Sequence, residues 1–150
     1  MLSGAIPSHT RQTERMTRER VRDALADSGM QEIMGYSLTN LETLLKVGAV
    51  DPDNEPIHIS NPMSADLTCL RTSLRGTILQ ALSSNLRAQR SRGIRLFEVG
   101  RAYVGRPSDK GSLPEEREMA VGVLTGPRLS TSWLTESSEM DLSLIHISEP

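Results

Sequence analysis

Hydrophobic residues recur at helical spacing in three stretches of the chain, which predicts three helices. The first runs from Glu14 to Ser28, with a narrow inner face formed by Val21, Ala24, Leu25 and Ser28. The second is short and ends near Gly48, and its predicted buried residues are Leu41, Leu44 and Leu45. The third runs from about Ser73 to Arg90 and repeats an apolar residue every fourth position, with one more beside them: Leu74, Ile78, Leu82, Leu86 and Leu79.

Shorter apolar runs between turn signals predict β-strands over residues 32–38, 57–60, 94–99 and 119–124. We expect Gly100 to interrupt the third run, which residues 101–104 then continue. Residues 67–72 are ambiguous, and residues 105–118 read as a polar loop. Because helices and strands mix without a regular β-α-β order, the pattern predicts an α+β fold with an antiparallel sheet.

Two local motifs predict helix ends. Gly29 directly follows the first helix and is suited to the left-handed C-terminal cap. The sequence from Thr39 to Glu42 has the form of a capping box, in which hydroxyl and carboxylate each take a backbone N–H. Residues 1–12 lack apolar periodicity and read as a linker.

Composition places the chain among soluble globular domains. It has 150 residues, of which 37% are hydrophobic and 24% charged. It contains no apolar run near the ~20 residues of a membrane span. Its single cysteine, Cys69, cannot form an internal disulfide, which favours a reducing compartment and a cytoplasmic location.

Charge is unevenly distributed along the chain. Residues 66–106 hold eight arginines and two acids, whereas residues 107–150 hold three bases and eight acids. Four arginines fall close together, Arg87, Arg90, Arg92 and Arg95. They can be an electrostatic footprint for nucleic acid, or a solvated helix end that complements the helix dipole. Both interpretations stay open, although no aromatic residues for base stacking are interleaved among them.

Motifs for catalysis are absent from the sequence. It has no phosphate-binding glycine loop and no dinucleotide fingerprint. The three histidines, His9, His58 and His146, are far apart and lack partners at zinc-ligand spacing. Cys69 lies in an apolar stretch and is interpreted as a small core residue, and Glu115, Glu116 and Glu118 as a solvated charge run.

Three segments carry a family resemblance. The first is NPMSADLTCLRTSL, residues 61–74, followed by a helix that contains Ser84-Asn85-Leu86-Arg87. The second is IRLFEVGRAY, residues 94–103, and the third is LPEEREMAVGVLTGPR, residues 113–128, with Trp133 soon after. In this order and at this spacing they resemble the bacterial phenylalanyl-tRNA synthetase beta subunit, over about residues 3–141.

The resemblance implies an (αβ)2 heterotetramer that joins phenylalanine to its tRNA with ATP and Mg²⁺ in the cytoplasm. The matched region corresponds to a class II synthetase-like core module, an antiparallel sheet flanked by helices. In the family this module is catalytically silent and packs against the catalytic alpha subunit. The family's Mg²⁺ carboxylates and anticodon-binding module lie outside these residues. The resemblance therefore assigns no catalytic, cofactor-binding or metal residue here.

One position provides a check on that silence. In catalytic relatives, the strand that resembles Gly100-Arg101-Ala102-Tyr103 is followed by an arginine that holds the ATP phosphate. Here the position is Val104, which has no charge or hydrogen-bond donor for a phosphate. Arg101 is a candidate substitute, but on a strand residues 101 and 104 point to opposite faces. We therefore expect this chain alone to be inactive.

The domain organisation follows from the resemblance. Residues 1–12 are interpreted as a linker from a preceding helical domain, and residues 13–141 as the N-terminal part of the non-catalytic core module. Residues 142–150, LSLIHISEP, match nothing in the family. They match the in-frame translation of a transposase-type sequencing adapter, so we interpret them as non-native.

Three functional hypotheses follow. The first is a structural module of the beta subunit, with Arg87, Arg90, Arg92 and Arg95 on the surface that faces the alpha subunit or tRNA. The second is an autonomous adenylate-forming enzyme with the same fold. The third is a free-standing arginine-rich module that binds nucleic acid, whose affinity would fall steeply with salt.

Overall fold

The computed structural model describes residues 13–51, 55–88, 93–105, 113–128 and 133–134. Among these residues no helix is both long enough and apolar enough to cross a bilayer. The chain order of helices and strands is α1 (Thr13–Asp27), β1 (Gln31–Glu32), β2 (Leu38–Thr39), α2 (Leu41–Lys46), β3 (Cys69–Leu70), α3 (Arg75–Ala88), β4 (Ile94–Val104) and β5 (Glu115–Thr125).

The main sheet is built on one long hairpin. Strands β4 and β5 pair antiparallel over eleven residues each, from Ile94 opposite Thr125 to Val104 opposite Glu115. Strand β1 adds to the other edge of β4 in parallel, with Gln31 opposite Leu96. The strand order is therefore β1-β4-β5, and no strand in the described part of the chain pairs with the outer edge of β5. The predicted α+β fold is confirmed, with one parallel strand beside the antiparallel hairpin.

A second, smaller sheet lies at the start of the module. Strands β2 and β3 pair antiparallel, and His58 bridges to Cys69 beside them. The predicted strand over residues 57–60 contributes only this bridge and two flanking backbone bonds, from Ile59 N–H to the Thr68 carbonyl and from Leu70 N–H to the Ile57 carbonyl. The segment forms no further bridges with any strand that the structure describes, so it is a connecting segment and not a β-strand.

The core lies between α3 and the main sheet. Ile78 on α3 packs against Ile94 and Leu96 on β4, with half-buried residues around them: Ile33, Ala81, Leu82, Val121 and Val123. Each fully buried aliphatic side chain of this kind contributes about 1.5–3 kcal/mol to stability. On the opposite face of β4, Phe97 is only 1% exposed. The long hairpin therefore has buried apolar side chains on both faces.

Helix positions were predicted better than helix burial. Helix α1 lies within one residue of its predicted bounds, and Gly29 after it has φ of 84°, the left-handed cap that was predicted. On α2, however, only Leu44 is buried, while Leu41 and Leu45 are exposed. On α3, Leu79 and Leu86 are also exposed. Spacing identified the apolar residues, but the number of covering elements decides how many are buried.

The predicted capping box is wrong. The N-cap of α2 is Asn40, whose side-chain oxygen accepts a hydrogen bond from Thr43 N–H at 2.8 Å. Thr39 instead belongs to β2 and pairs with Cys69. The extended backbone of Asn40 is the usual N-cap conformation, and asparagine is among the strongest caps, so the helix begins one residue later than predicted.

The predicted strand over residues 32–38 is also wrong. Its two ends belong to different sheets, because β1 ends at Glu32 and β2 begins at Leu38. Between them, Gly35 turns its N–H toward the side chain of Glu98 instead of a neighbouring strand. A side-chain acceptor thus replaces the ladder bond that a continuous strand would need.

Two boundaries of the hairpin differ from prediction. Gly100 does not interrupt β4 but pairs with Met119 in register. Residues 115–118 are not a loop. They are the first four residues of β5 and pair with residues 101–104 of β4. The sequence did not predict a strand here because these residues are charged and show no apolar alternation. Their side chains are exposed, and Glu116 and Glu118 pair with Arg101 across the hairpin.

Candidate functional site

A buried ion pair joins β4 to the segment before α3. The Arg71 guanidinium donates from Nη1 to Glu98 Oε1 at 2.5 Å, and the two residues are 4% and 2% exposed. Arg71 also donates from Nε to the Arg101 carbonyl at 2.9 Å. Its own backbone is held by Ser37 on one side and Tyr103 on the other. The arginine therefore ties three segments together.

Two further donors complete the buried cluster around Glu98. Thr77 on α3 donates its hydroxyl to Glu98 Oε2 at 2.5 Å, and Gly35 N–H donates to Oε1 at 3.2 Å. Both carboxylate oxygens are thus engaged by charged or polar donors, which is what a buried carboxylate requires. We call Arg71, Glu98, Thr77 and Gly35 the buried polar cluster.

Two glycines make room for the cluster. A Cβ at Gly100 would lie 2.5 Å from Arg71 Nη2, and a Cβ at Gly35 would lie 2.7 Å from the Cβ of Thr77. Neither neighbour is free to move, because Arg71 and Thr77 are both hydrogen-bonded to Glu98. The glycines therefore serve close approach between segments.

The buried polar cluster is suited to holding the fold and not to proton transfer. Glu98 is inaccessible and already accepts three hydrogen bonds, so it has no open position for a substrate proton. The sequence offered one signal that was not used: Glu98 stands between Phe97 and Val99 in a strand with apolar residues on both faces. A charge at such a position requires a buried partner.

A cavity of about 510 Å³ lies beside the cluster, between the start of α3 and the hairpin. Its lining includes Val104, Met119 and Val121 from the sheet, with Arg75 and Arg117 at its charged side. Arg75 donates to the Gly48 carbonyl and to Ser73 Oγ. Arg117 donates to Glu115 at 2.7 Å, and its guanidinium lowers the pKa of that carboxyl. Both guanidiniums are thus engaged by the protein, and Val104 offers the cavity only methyl groups.

Arg101 lies away from this cavity. It forms ion pairs with Glu116 at 2.6 Å and Glu118 at 3.1 Å, and Glu118 also contacts Arg18 of α1 at 3.0 Å. Hydrogen bonds to Glu118 and then Glu116 raise the pKa of Arg101. Strand alternation places Arg101 and Val104 on opposite faces of β4, as expected from the sequence.

The four arginines singled out in the sequence do not all share one surface. Arg87 is exposed in the last turn of α3. Arg95 alternates with Ile94 and Leu96, which face α3, so it points to the opposite side of the sheet, where it donates to the Arg128 carbonyl at 2.5 Å. Arg90 and Arg92 lie outside the described residues. The assignment of these arginines to a surface that faces the alpha subunit or tRNA stays a prediction.

Metal ligands do not gather in the described part of the chain, where no three His, Cys, Asp or Glu side chains could hold an ion together. His58 is exposed beside Cys69, and His9 and His146 lie outside the described residues.

Cys69 behaves as a core residue. It is fully buried, and its thiol donates to the Thr39 carbonyl at 3.3 Å. Burial raises the pKa of the thiol, which the hydroxyl of Thr68 only partly opposes. A raised pKa lowers the fraction of thiolate at a given pH, and the thiolate is the reactive form of cysteine.

We therefore expect Cys69 to react with iodoacetamide far more slowly in the native chain than in urea at the same pH. Mass spectrometry of the alkylated protein over time measures both rates. The urea-unfolded sample is the matched control, since burial is lost there while the sequence is unchanged. Equal rates in the two states would show that the thiol is accessible in the native fold.

Comparisons with known proteins agree on one family. Over residues 1–147 the sequence matches the family described as the phenylalanyl tRNA synthetase beta chain CLM domain. It is 38% identical over 123 residues to the phenylalanine--tRNA ligase beta subunit of Methylococcus capsulatus, covering 82% of this chain and 14% of that protein. With the Bacillus thuringiensis subsp. konkukian subunit it is 30% identical over 145 residues, covering 93% and 18%. The chain thus spans less than a fifth of either relative.

Solved structures agree on the fold. A pyrrolysyl tRNA synthetase from Desulfitobacterium hafniense superposes with a TM-score of 0.52 at 19% identity, covering 75% of this chain and 38% of that one. An ATP phosphoribosyltransferase regulatory subunit/histidyl-tRNA synthetase from Bacillus halodurans gives 0.56 at 19%, covering 84% and 33%. These show a class II synthetase-like fold. The family match runs to residue 147, and the adapter origin of residues 142–150 stays a prediction. By its sequence, the chain belongs to the phenylalanyl-tRNA synthetase beta-chain family.

Proposed function

We propose that this chain is a structural, non-catalytic core module of the beta subunit of phenylalanine--tRNA ligase. In this role it supports the catalytic alpha subunit during the ATP-dependent attachment of phenylalanine to its tRNA. The choice of enzyme in this proposal is supported by the relatives, which are named phenylalanine--tRNA ligase beta subunit. The lack of catalysis in this chain is the further step, and it is argued from the cavity beside α3.

The observation that carries the proposal is the lining of that cavity. Phosphate recognition needs charge-assisted donors directed at the ligand. Val104 supplies none, and the guanidiniums of Arg75 and Arg117 are already bound by Gly48, Ser73 and Glu115. In both guanidiniums Nε and Nη2 already donate within the protein, and Val104 adds no donor beside them. The same fold with an arginine at position 104 would offer a free donor.

ATP and Mg²⁺ are, in this proposal, requirements of the whole complex, and this fragment binds neither. The partners are the alpha subunit, in an (αβ)2 heterotetramer, and tRNA through the assembled enzyme. The location is the cytoplasm, where the substrates of translation are. The described residues contribute a rigid frame: a long hairpin fixed to α3 by the buried polar cluster.

A chimera tests this role directly. Residues 13–141 would replace the matching segment of the Methylococcus capsulatus beta subunit, to be co-expressed with the alpha subunit of that organism. We expect the chimera to co-purify with the alpha subunit and to retain phenylalanine-dependent pyrophosphate exchange. The matched variant Val104→Lys should leave the exchange rate unchanged, because position 104 then has no part in the reaction.

Each alternative predicts a different result. Pyrophosphate exchange by the isolated 150-residue chain would identify an autonomous enzyme and overturn the structural role. Failure of a folded chimera to associate with the alpha subunit would contradict it as well. Binding of tRNA by the isolated chain, steeply weakened by salt, together with failure of the chimera to assemble, would favour the free-standing nucleic-acid-binding module.

A further inference from the structure

The outer side of α3 carries an exposed apolar stripe. Leu79 and Leu86 are 46% and 44% exposed, although they lie on a helix whose other side forms the core. With Leu82, Ser83 and Arg87 they line a shallow groove of about 390 Å³. The positions 79, 82, 83 and 86 follow the i, i+3, i+4, i+7 spacing of one helix face. We call Leu79, Leu82 and Leu86 the leucine stripe.

The described residues that line the groove include one charged residue, Arg87, and no acid. Within α3 the charged residues are Arg75 and Arg87, and Arg87 lines the groove itself. Arg87 forms no ion pair with any residue that the structure describes. Arg101 and Arg117 are paired with glutamates of this chain, whereas the exposed Arg20 on α1, like Arg87, forms no ion pair with a described residue.

This combination selects one kind of occupant. The exposed Leu79 and Leu86, with the half-buried Leu82 between them, fit the apolar face of a second helix packed along α3. An unpaired arginine at the rim favours acidic residues on the flank of that helix. A second copy of α3 would bring only more arginines, because the helix has no acid to offer. A nucleic acid would pair with Arg87 but leave the leucines uncovered, and α3 has no aromatic side chain for base stacking.

We infer that the leucine stripe with Arg87 is a docking surface for an amphipathic helix of a partner protein that carries acidic residues beside its apolar face. The helix packs its leucine-like side chains between Leu79 and Leu86, and a carboxylate on its flank pairs with Arg87. The apolar contacts supply affinity, and the ion pair fixes the direction of the bound helix.

The test uses the 150-residue chain and a synthetic probe. The probe is a fluorescein-labelled helical peptide with leucines at i, i+3, i+4 and i+7 and glutamates on both flanks. Fluorescence anisotropy should show saturable binding that weakens with salt. The double variant Leu79→Ser/Leu86→Ser should bind about tenfold more weakly, because the exposed apolar contact is lost. Arg87→Glu should weaken binding about threefold, as expected for a rim charge.

Matched variants separate this surface from others. Leu45→Ser removes a leucine of α2 that is more exposed than either leucine of the double variant, and Arg20→Glu reverses an exposed arginine on α1, so both should leave binding unchanged. Circular dichroism verifies that every variant keeps the fold. A second peptide, with lysines in place of the glutamates, should bind more weakly than the first.

Four results would overturn the inference. They are an absence of peptide binding, equal binding of the glutamate and lysine peptides, an equal loss in Leu45→Ser, and insensitivity of the complex to Leu79→Ser/Leu86→Ser. Light scattering addresses self-association: a dimer of the wild-type chain that the double variant abolishes would assign the stripe to a second copy instead. Displacement of the peptide by an RNA oligonucleotide that requires Arg87 but not the leucines would assign it to nucleic acid.

Discussion

Replacing Glu98 with glutamine should lower the free energy of unfolding by about 3–5 kcal/mol, the usual effect of removing one partner of a buried ion pair. Glutamine keeps the size of the side chain and can still accept from Thr77 or Gly35. It cannot compensate the charge of Arg71, which is 4% exposed and therefore poorly solvated once its partner is lost. Urea denaturation followed by far-UV circular dichroism measures the change. Trp133 is a poor fluorescence probe for this purpose, because it is 94% exposed in the native chain.

Two comparisons show that the loss comes from the unpaired charge. The double variant Arg71→Met/Glu98→Gln removes both charges, so it should be more stable than Glu98→Gln alone. Glu116→Gln breaks the exposed pair with Arg101 and should change stability little, since solvent screens that interaction. A double variant no more stable than the single one would show that Glu98 stabilises the fold by some means other than compensating Arg71.

Phe97→Ala should destabilise the chain by about 3–5 kcal/mol, as found for large aromatic residues truncated in a core. Phe97 is 1% exposed, at the centre of the sheet, where its strand pairs with Glu32 of β1 and Gly122 of β5. The surrounding backbone is fixed by both neighbours, so the cavity left by the ring cannot collapse. The same urea titration gives the magnitude.

Two other substitutions serve as controls, one for the size of the side chain removed and one for its position in the sheet. Phe97→Leu leaves a smaller cavity and should lose less stability than the alanine variant. Met119→Ala truncates a side chain of the same sheet that is 40% exposed, and should change stability by no more than about 0.5 kcal/mol. A loss in Phe97→Ala no larger than in Met119→Ala would contradict the central place of the ring in the core.

Local chemistry was enough to predict much of the backbone. The periodicity of α1 and the glycine after it located that helix and its left-handed cap, because both depend on neighbouring residues only. The α+β class followed from the order of elements. The split of residues 32–38 between two sheets could not be predicted, because Gly35 bonds to Glu98, which is 63 residues away in sequence.

The candidate site shows the same division. The interest of position 104 came from the family resemblance and stays a prediction, while the separation of Arg101 from Val104 follows from strand alternation. The buried polar cluster could not be predicted, since a carboxylate between apolar residues signals only that some partner exists. The exposure of Leu79 and Leu86 could not be predicted from the sequence either. Spacing shows which residues share a helix face, but neighbouring elements determine how much of that face is covered.

The close approach of Gly35 to Thr77 and of Gly100 to Arg71 limits which amino-acid substitutions this sequence can accept. A side chain at Gly100 becomes tolerable only after Arg71 has changed, because the guanidinium occupies the space that a Cβ would take. Loss of Arg71 alone, however, leaves Glu98 as an unpaired buried charge. Each single step toward a purely apolar interior therefore passes through a less stable chain, even where the end point would be as stable as the start. The effects of substitutions at these positions are non-additive, so the order in which they occur decides which of them can be accepted.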